Sequence, residues 1–287
     1  MCIRDRETEA LDQETNSHTG TVAEKTVIND LVNYSNLISG EEYTIRGKLM
    51  VKETGEPLLI DGQEVTAEAE FVPESAAGTV TLTYELDSSA LAGETIVVFE
   101  DLIYKGITIL SHADIEDEAQ SVYYPELQTE ATAYGKHEVI AKGTVTIEDS
   151  VSYSNLIPGK TYTLKGVLMD RETGEKLLVN GTEVTATETF VPQEASGTVK
   201  MPFTFQADGL AGKAVVVFEE LYHNQVVVGT HADLTDQAQS VFLQAPPQTP
   251  KTGDHHNLPL TAGVLAGSVA GVSILFWKLR KRRRIDW

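Results

Sequence analysis

This sequence predicts an all-β protein of two tandem immunoglobulin-like β-sandwich domains, followed by one C-terminal transmembrane helix. Three observations carry the prediction. A constant offset of 119 residues relates the two halves of the chain. Within each half, short runs of alternating polarity are separated by turn residues, and no long amphipathic helical pattern occurs. Near the C-terminus, 20 consecutive uncharged residues (258–277) stand directly before a basic cluster.

The repeat sets the domain organisation. Tyr34-Ser35-Asn36-Leu37 returns as Tyr153-Ser154-Asn155-Leu156, Glu53-Thr54-Gly55-Glu56 as Glu172-Thr173-Gly174-Glu175, and Phe71-Val72-Pro73 as Phe190-Val191-Pro192. A unit of this length is too long for a solenoid repeat and suits a domain with its own core. The expected domains are 7–124 and 125–243. Residues 1–6, Met-Cys-Ile-Arg-Asp-Arg, hold no apolar run that would make a signal peptide. They are expected to be a non-native start joined to a chain that is longer at its N-terminus.

Inside the repeats, Tyr43, Ile45, Gly47 and Leu49 alternate with polar neighbours, as do Val80, Leu82, Tyr84 and Leu86, so both segments read as half-buried strands. Asp61-Gly62, and Asn180-Gly181 in the second copy, are the residue pairs that tight two-residue hairpins favour. Residues 95–100 form a continuous run suited to a buried strand. Short strands at this spacing in about 115 residues are the pattern of an immunoglobulin-like sandwich. Residues 244–254, Leu-free and rich in proline, read as an extended linker. Residues 258–277 are long enough to span a bilayer, and the tail 278–287, with Lys278, Arg280, Lys281, Arg282, Arg283 and Arg284, is expected to stay cytoplasmic. That orientation places both repeats outside the cell.

Composition narrows the function classes. A formal net charge of −21 disfavours nucleic acid and bare anionic membrane as partners. Cys2 is the only cysteine, so no intramolecular disulfide is available, and an exported chain must draw stability from elsewhere.

The most informative pattern is chemical. Val98-Phe99-Glu100, His112, Asp117 and Gln120 recur as Val217-Phe218-Glu219, His231, Asp236 and Gln239, with identical steps of 12 from Glu to His, 5 from His to Asp and 8 from His to Gln. A carboxylate ending so apolar a run is expected to be buried. Asp117 is expected to lie beside Glu100, and Asp236 beside Glu219, so that each pair shares a proton. His112 and His231 can then carry protons. A carboxamide carbon becomes electrophilic only when its oxygen is hydrogen-bonded or protonated, which such a pair supplies. The set lacks a nucleophile. Competing readings are a surface cluster and a metal site built on His112, Asp114 and Asp117. One His with scattered carboxylates is a weak metal signal, so neither metal nor cofactor is expected. Asp30 and Asp149 also keep the offset, and strand-end turn chemistry accounts for them.

These residues, with Tyr-x-Asn-Leu-x-x-Gly and Leu-Met-x-x-x-Thr-Gly ahead of them, resemble the Thr–Gln ester-bond domains of Gram-positive surface adhesins, also called VaFE repeats. The resemblance spans nearly the whole chain, twice. It implies CnaB-like sandwiches in which a first-strand Thr attacks a last-strand Gln, releases ammonia and leaves an intramolecular ester. By that resemblance the crosslinks are Thr8–Gln120 and Thr129–Gln239, with Thr132 a rival to Thr129. His112 and His231 are the bases, and Glu100 with Asp117 and Glu219 with Asp236 polarise the amide. Thr8 is chosen on the shared Thr-Glu-Ala, at an offset of 121 rather than 119, which places two residues of slack before Asp30. The related Lys–Asn isopeptide domains need Asn or Asp on the last strand, where both copies here have Gln.

Thr249-Pro250-Lys251-Thr252-Gly253, the apolar span and the basic stop resemble the Gram-positive cell-wall sorting signal, with Thr249 in place of the usual Leu. That implies a sortase as partner, cleavage after Thr252, and attachment to peptidoglycan or a pilin. The span would then be a temporary hold in the membrane. The expected function is a covalently braced, wall-anchored stalk whose chemistry is single-turnover rather than enzymatic, with a host ligand bound by the missing N-terminal region. The alternatives are repeats that bind a host ligand themselves, and a secreted hydrolase.

Overall fold

The computed structural model describes residues 8–248. The expected transmembrane helix at 258–277, the sorting motif at 249–253, the basic tail and the 1–6 segment lie outside the described residues. All regular elements among the described residues are strands. Repeat 1 contains β1 (Glu9–Asp12), β2 (Thr26–Tyr34), β3 (Tyr43–Val51), β4 (Leu59–Ile60), β5 (Gln63–Glu64), β6 (Thr66–Phe71), β7 (Gly78–Leu86), β8 (Thr95–Tyr104), β9 (Ile107–His112) and β10 (Ser121–Tyr123). Repeat 2 contains β11 (Glu126–Thr132), β12 (Glu138–Ile140), β13 (Thr144–Ser154), β14 (Tyr162–Asp170), β15 (Leu178–Val179), β16 (Thr182–Glu183), β17 (Thr185–Phe190), β18 (Gly197–Gln206), β19 (Ala214–His223), β20 (Val226–His231) and β21 (Ser240–Gln244).

Period-two burial builds each sandwich. In β2, Thr26, Ile28, Asp30 and Val32 point inward while their neighbours are half-buried. The small sheet of repeat 1 runs β1-β2-β7. The larger sheet runs β10-β8-β3-β6, with β9 also paired to β8. Ile28, Val32, Leu82 and Tyr84 from the first sheet meet Ile45, Leu49, Ile96, Val98 and Val122 from the second in one core. Repeat 2 repeats the plan as β11-β13-β18 against β12-β21-β19-β14-β17, with β20 on β19. The hairpins β4–β5 and β15–β16 turn at Asp61-Gly62 and Asn180-Gly181, all four residues at positive φ, as those pairs predict.

Two features place the site. The edge of β8 is shared: β9 covers Glu100 to Tyr104 and β10 covers Thr95 to Val97, so the β9–β10 connection crosses the sheet edge between them. The first strand reaches the same place, because Ala10 N–H donates to Ala119 C=O at 2.9 Å. In repeat 2 the equivalent bond joins Ala131 to Ala238 at 2.9 Å. Ala10 lies opposite Asp30, and Ala131 opposite Asp149. The two-residue slack between the repeats therefore falls in the connection after the first strand, and Thr8 and Thr129 occupy equivalent positions.

Candidate functional site

In repeat 1 the residues singled out by spacing converge inside the sandwich. Glu100 and His112 are directly opposite each other across β8 and β9. The His112 ring bridges three groups. Its Nδ1 lies 3.2 Å from Thr8 Oγ1 and 3.3 Å from Glu100 Oε2, and its Nε2 lies 3.0 Å from Asp117 Oδ2. Asp117, on the β9–β10 connection, thus holds one ring nitrogen and leaves the other facing the threonine hydroxyl. Gln120 ends that connection just before β10; its backbone C=O accepts from Val98 N–H at 3.0 Å, which fixes its place beside β8. Thr8, Glu100 and Gln120 are all buried.

Asp30 completes the site. It sits in the middle of β2, fully buried, and its Oδ1 accepts from Gln120 Nε2 at 3.2 Å. It also faces Glu100 within hydrogen-bonding reach. The expected pairing of Glu100 with Asp117 is corrected here: Asp117 belongs to His112, and the partner of Glu100 is Asp30. Likewise, Asp30 and Asp149 are not strand-end turn residues but inward-facing core positions. The reason is topological, since Asp117 is on a connection at the sheet edge whereas Asp30 comes from the opposite sheet and points straight across the core.

Burial decides the protonation of these carboxyls. It pushes Asp30 up to about 9, with the neighbouring Glu100 charge adding to the effect. Two carboxylates this close and this dry cannot both ionise, so the pair holds one proton. His112 is raised above its ordinary value, chiefly by its hydrogen bond to Glu100, with Asp117 adding to it and burial opposing.

Repeat 2 has a similar arrangement, without the hydrogen bond between threonine and histidine. His231 Nε2 lies 2.9 Å from Asp236 Oδ2, and His231 is opposite Glu219 across β19 and β20. Gln239 Nε2 donates to Asp149 Oδ1 at 3.4 Å. Burial raises Glu219 to about 11, with Asp149 and Asp236 adding to it, and also raises Asp149. Glu219 and Asp149 therefore mirror the Glu100–Asp30 pair, and Asp236 is held by His231 rather than sharing the proton of Glu219. Thr129 Oγ1 is buried without a hydrogen-bond partner, on the same face as the buried Ala131. Thr132 falls on the other phase of β11 and faces away from the site.

The buried oxygens without partners mark where chemistry is poised. They include Gln120 Oε1 and Gln239 Oε1, one carboxyl oxygen each of Asp30 and Asp149, both of Glu219, and Glu100 Oε1, while Glu100 Oε2 faces His112 Nδ1. Unmatched buried oxygens are costly, and a proton shared within each acid pair answers part of that cost. Half a turn of the carboxamide would bring its oxygen to the Asp, ready to accept that proton. Among the described residues no group of three or more His, Cys, Asp or Glu side chains is arranged to hold a metal ion.

Asp30 and Asp149 keep the repeat offset, and reading them as turn chemistry overlooked a second signal. Val145, Ile147, Asp149 and Val151 share one phase of a strand, so the Asp stands where an apolar residue is expected.

Twice over, an all-β sandwich brings a Thr before or on its first strand, a half-buried His, a buried acid pair and a buried Gln at its last strand into one cluster. Consistent with this, the family model described as "T-Q ester bond containing domain" matches residues 7–124 and 125–243, and the chain belongs to that family. No curated protein matches the chain. Among solved structures, the chain is similar to a bacterial adhesin from Mobiluncus mulieris containing intramolecular disulfide, isopeptide and ester bond cross-links, with 14% identity, a TM-score of 0.33 and 74% of this chain and 78% of that chain covered. It is similar to a putative β-galactosidase from Bacteroides fragilis at 12% identity and a TM-score of 0.29, over 74% of this chain and 32% of that chain.

Proposed function

We propose that each repeat crosslinks itself through an ester between Thr8 and Gln120, and between Thr129 and Gln239. The observation that carries this reading is the bridging His112, one nitrogen on Asp117 and the other on Thr8 Oγ1, in a buried site that also holds Gln120 on a carboxyl pair. His112 Nδ1 takes the proton as Thr8 Oγ1 attacks the side-chain carbonyl carbon of Gln120. The proton shared by Asp30 and Glu100 neutralises the developing oxyanion. The tetrahedral intermediate then collapses: the carbonyl re-forms and its borrowed proton returns to the acid pair, imidazolium gives its proton to the nitrogen, the C–N bond breaks, ammonia leaves, and the new ester C–O bond remains. The steps are those of serine-protease acylation, arrested at the acyl stage because the site is buried from water. Repeat 2 runs the same steps with His231, Asp236, Asp149 and Glu219.

We read the pair of repeats as the braced stalk of a surface protein of the adhesin or pilin type. The sequence at 249–253, followed by the span and basic tail, supports covalent anchoring to the cell wall by a sortase. The reaction turns over once, on the chain itself, so the protein is not an enzyme in the ordinary sense. Intact mass of the folded repeats tests the reading. A deficit of one ammonia per repeat is expected; Thr8→Ala removes one and Thr129→Ala the other. Full uncorrected mass in folded protein refutes it.

A further inference from the structure

The two repeats meet in a built joint, and the Asn–Ile–Tyr half of that joint recurs at the far end of repeat 1 with its Asn and Ile exposed. At the joint, Asn155 holds repeat 1 with its whole carboxamide. Its Nδ2 donates to Glu94 C=O at 2.6 Å and Tyr124 C=O at 3.0 Å, and its Oδ1 accepts from Thr95 Oγ1 at 3.0 Å. Tyr162 Oη lies 3.2 Å from Thr19 Oγ1, and Asn224 Nδ2 donates to Thr15 C=O at 3.1 Å. Ile157 is half-covered beside them.

The positions of repeat 1 one offset earlier carry the Asn, Ile and Tyr of this device, with Lys105 in place of Asn224. Asn36 has the same left-handed backbone as Asn155, φ 62° against 59°. Non-glycine residues adopt that conformation at a cost, and here it aims the side chain outward in both copies. Ile38 N–H donates to Tyr43 Oη at 3.1 Å, as Ile157 N–H does to Tyr162 Oη at 3.1 Å. Yet Asn36 is exposed, its Nδ2 3.5 Å from its neighbour Ser35 Oγ, and Ile38 is 57% exposed. Ile107, equivalent to the half-covered Val226, is 67% exposed.

The carbonyl pair of the complementary half is also duplicated, while Thr95 has Ala214 as its counterpart. Glu94 and Tyr124 present their carbonyls from a short backbone ladder, Gly93 N–H to Tyr124 C=O at 2.9 Å and Tyr124 N–H to Glu94 C=O at 2.9 Å. Repeat 2 has that ladder as Gly212 to Leu243 at 2.7 Å and Leu243 to Lys213 at 2.8 Å. Each repeat therefore carries a donor clasp at one end and a carbonyl pair at the other, a head-to-tail geometry that extends rather than closes.

We propose that the Asn36–Ile38 face of repeat 1 is a docking site for the carbonyl-pair end of a preceding repeat of the same class. The occupant follows from the joint already formed between repeats 1 and 2. Its place in a stalk rests on the function proposed above, but its geometry does not depend on the ester.

The test adds residues 8–128 in front of Thr8 of the intact chain, which reproduces the natural spacing between a repeat and the next threonine. Hydrogen exchange of segment 36–41 is compared with that of segment 155–160 in the same molecule. The expected result is slowing of 36–41 to the level of 155–160, reversed by Asn36→Ala. Exchange at 36–41 as fast as in the parent chain overturns the proposal. A second measurement uses the natural two-repeat chain: Asn155→Ala is expected to speed exchange at 155–160 and at 15–19, and an unchanged joint also overturns it. Intact mass separates this from the ester reading. Full ammonia loss with an unprotected Asn36 spares the ester and removes the docking site, and the reverse removes the ester alone.

Discussion

At the scale of single residues, the chemistry turns on one buried proton in each repeat. Asp30→Asn keeps the shape of the side chain but removes the acid that shares the proton with Glu100. By analogy with the loss of one oxyanion donor, crosslinking in repeat 1 is expected to slow by about 100-fold or more. Intact mass against time after refolding would show the repeat 1 deficit delayed or absent while the repeat 2 deficit appears on schedule. The pH profile follows from the same groups. His112 acts only when neutral, and its value is raised, so the rate in repeat 1 rises with pH through a range above that of an ordinary histidine. It falls again when the acid pair loses its proton, near 9 in repeat 1 and near 11 in repeat 2. Refolding at fixed pH and counting ammonia lost per repeat should show crosslinking in both repeats rise from acid and fall again at alkaline pH. The sign for stability runs the same way. A carboxyl raised from 3.8 to about 9 stabilises the fold below the lower value and loses that contribution as pH climbs through the higher one. An uncrosslinked Thr8→Ala repeat is therefore expected to grow less stable from acid toward pH 9.

At the scale of strands, the site depends on close approach between the sheets. Gly47 lies opposite Glu100, and a Cβ there would meet Tyr84 Oη at 1.8 Å and Leu82 Cδ1 at 2.8 Å. Gly166 is pressed in the same way by Phe203 Cζ at 2.5 Å and Met201 Cε at 2.7 Å. Gly47→Ala should force these side chains off their rotamers and cost about 1–3 kcal/mol, read as a lower thermal midpoint, and should slow crosslinking by displacing Glu100. The strands were largely legible in advance, because alternation such as Tyr43, Ile45, Gly47 and Leu49 writes the buried face directly into the chain. The edge of the site was legible too: Glu100, His112, Asp117 and Gln120 lie on consecutive elements, where constant spacing reflects one hairpin and one connection. Asp30 was not, for two reasons. Asn29-Asp30 reads locally as turn chemistry. Its partner Glu100 is 70 residues away in the opposing sheet, so only the packing of one sheet on the other reveals the pair.

At the scale of the molecule, the proposed crosslink would change how force passes through the chain. Tension applied at the ends reaches repeat 1 at its first and last strands, the two elements that a Thr8–Gln120 ester would join. With the ester present, load runs from residue 8 to residue 120 through one covalent bridge and bypasses the strands between. Closing a loop of this size also contributes about 5 kcal/mol in the chain-entropy account, in a chain whose single cysteine allows no disulfide of its own. Single-molecule stretching distinguishes the two cases. The native repeats should show no unfolding step up to the rupture of covalent bonds. In Thr8→Ala, one repeat is free to extend; at 3.3–3.6 Å per residue the stretch between the bridged positions adds roughly 350–400 Å of contour length. Thr8→Ala with Thr129→Ala should give two such steps. Native protein that releases either step at low force would mean that its terminal strands are held by hydrogen bonds alone, and the stalk reading would fail with the ester.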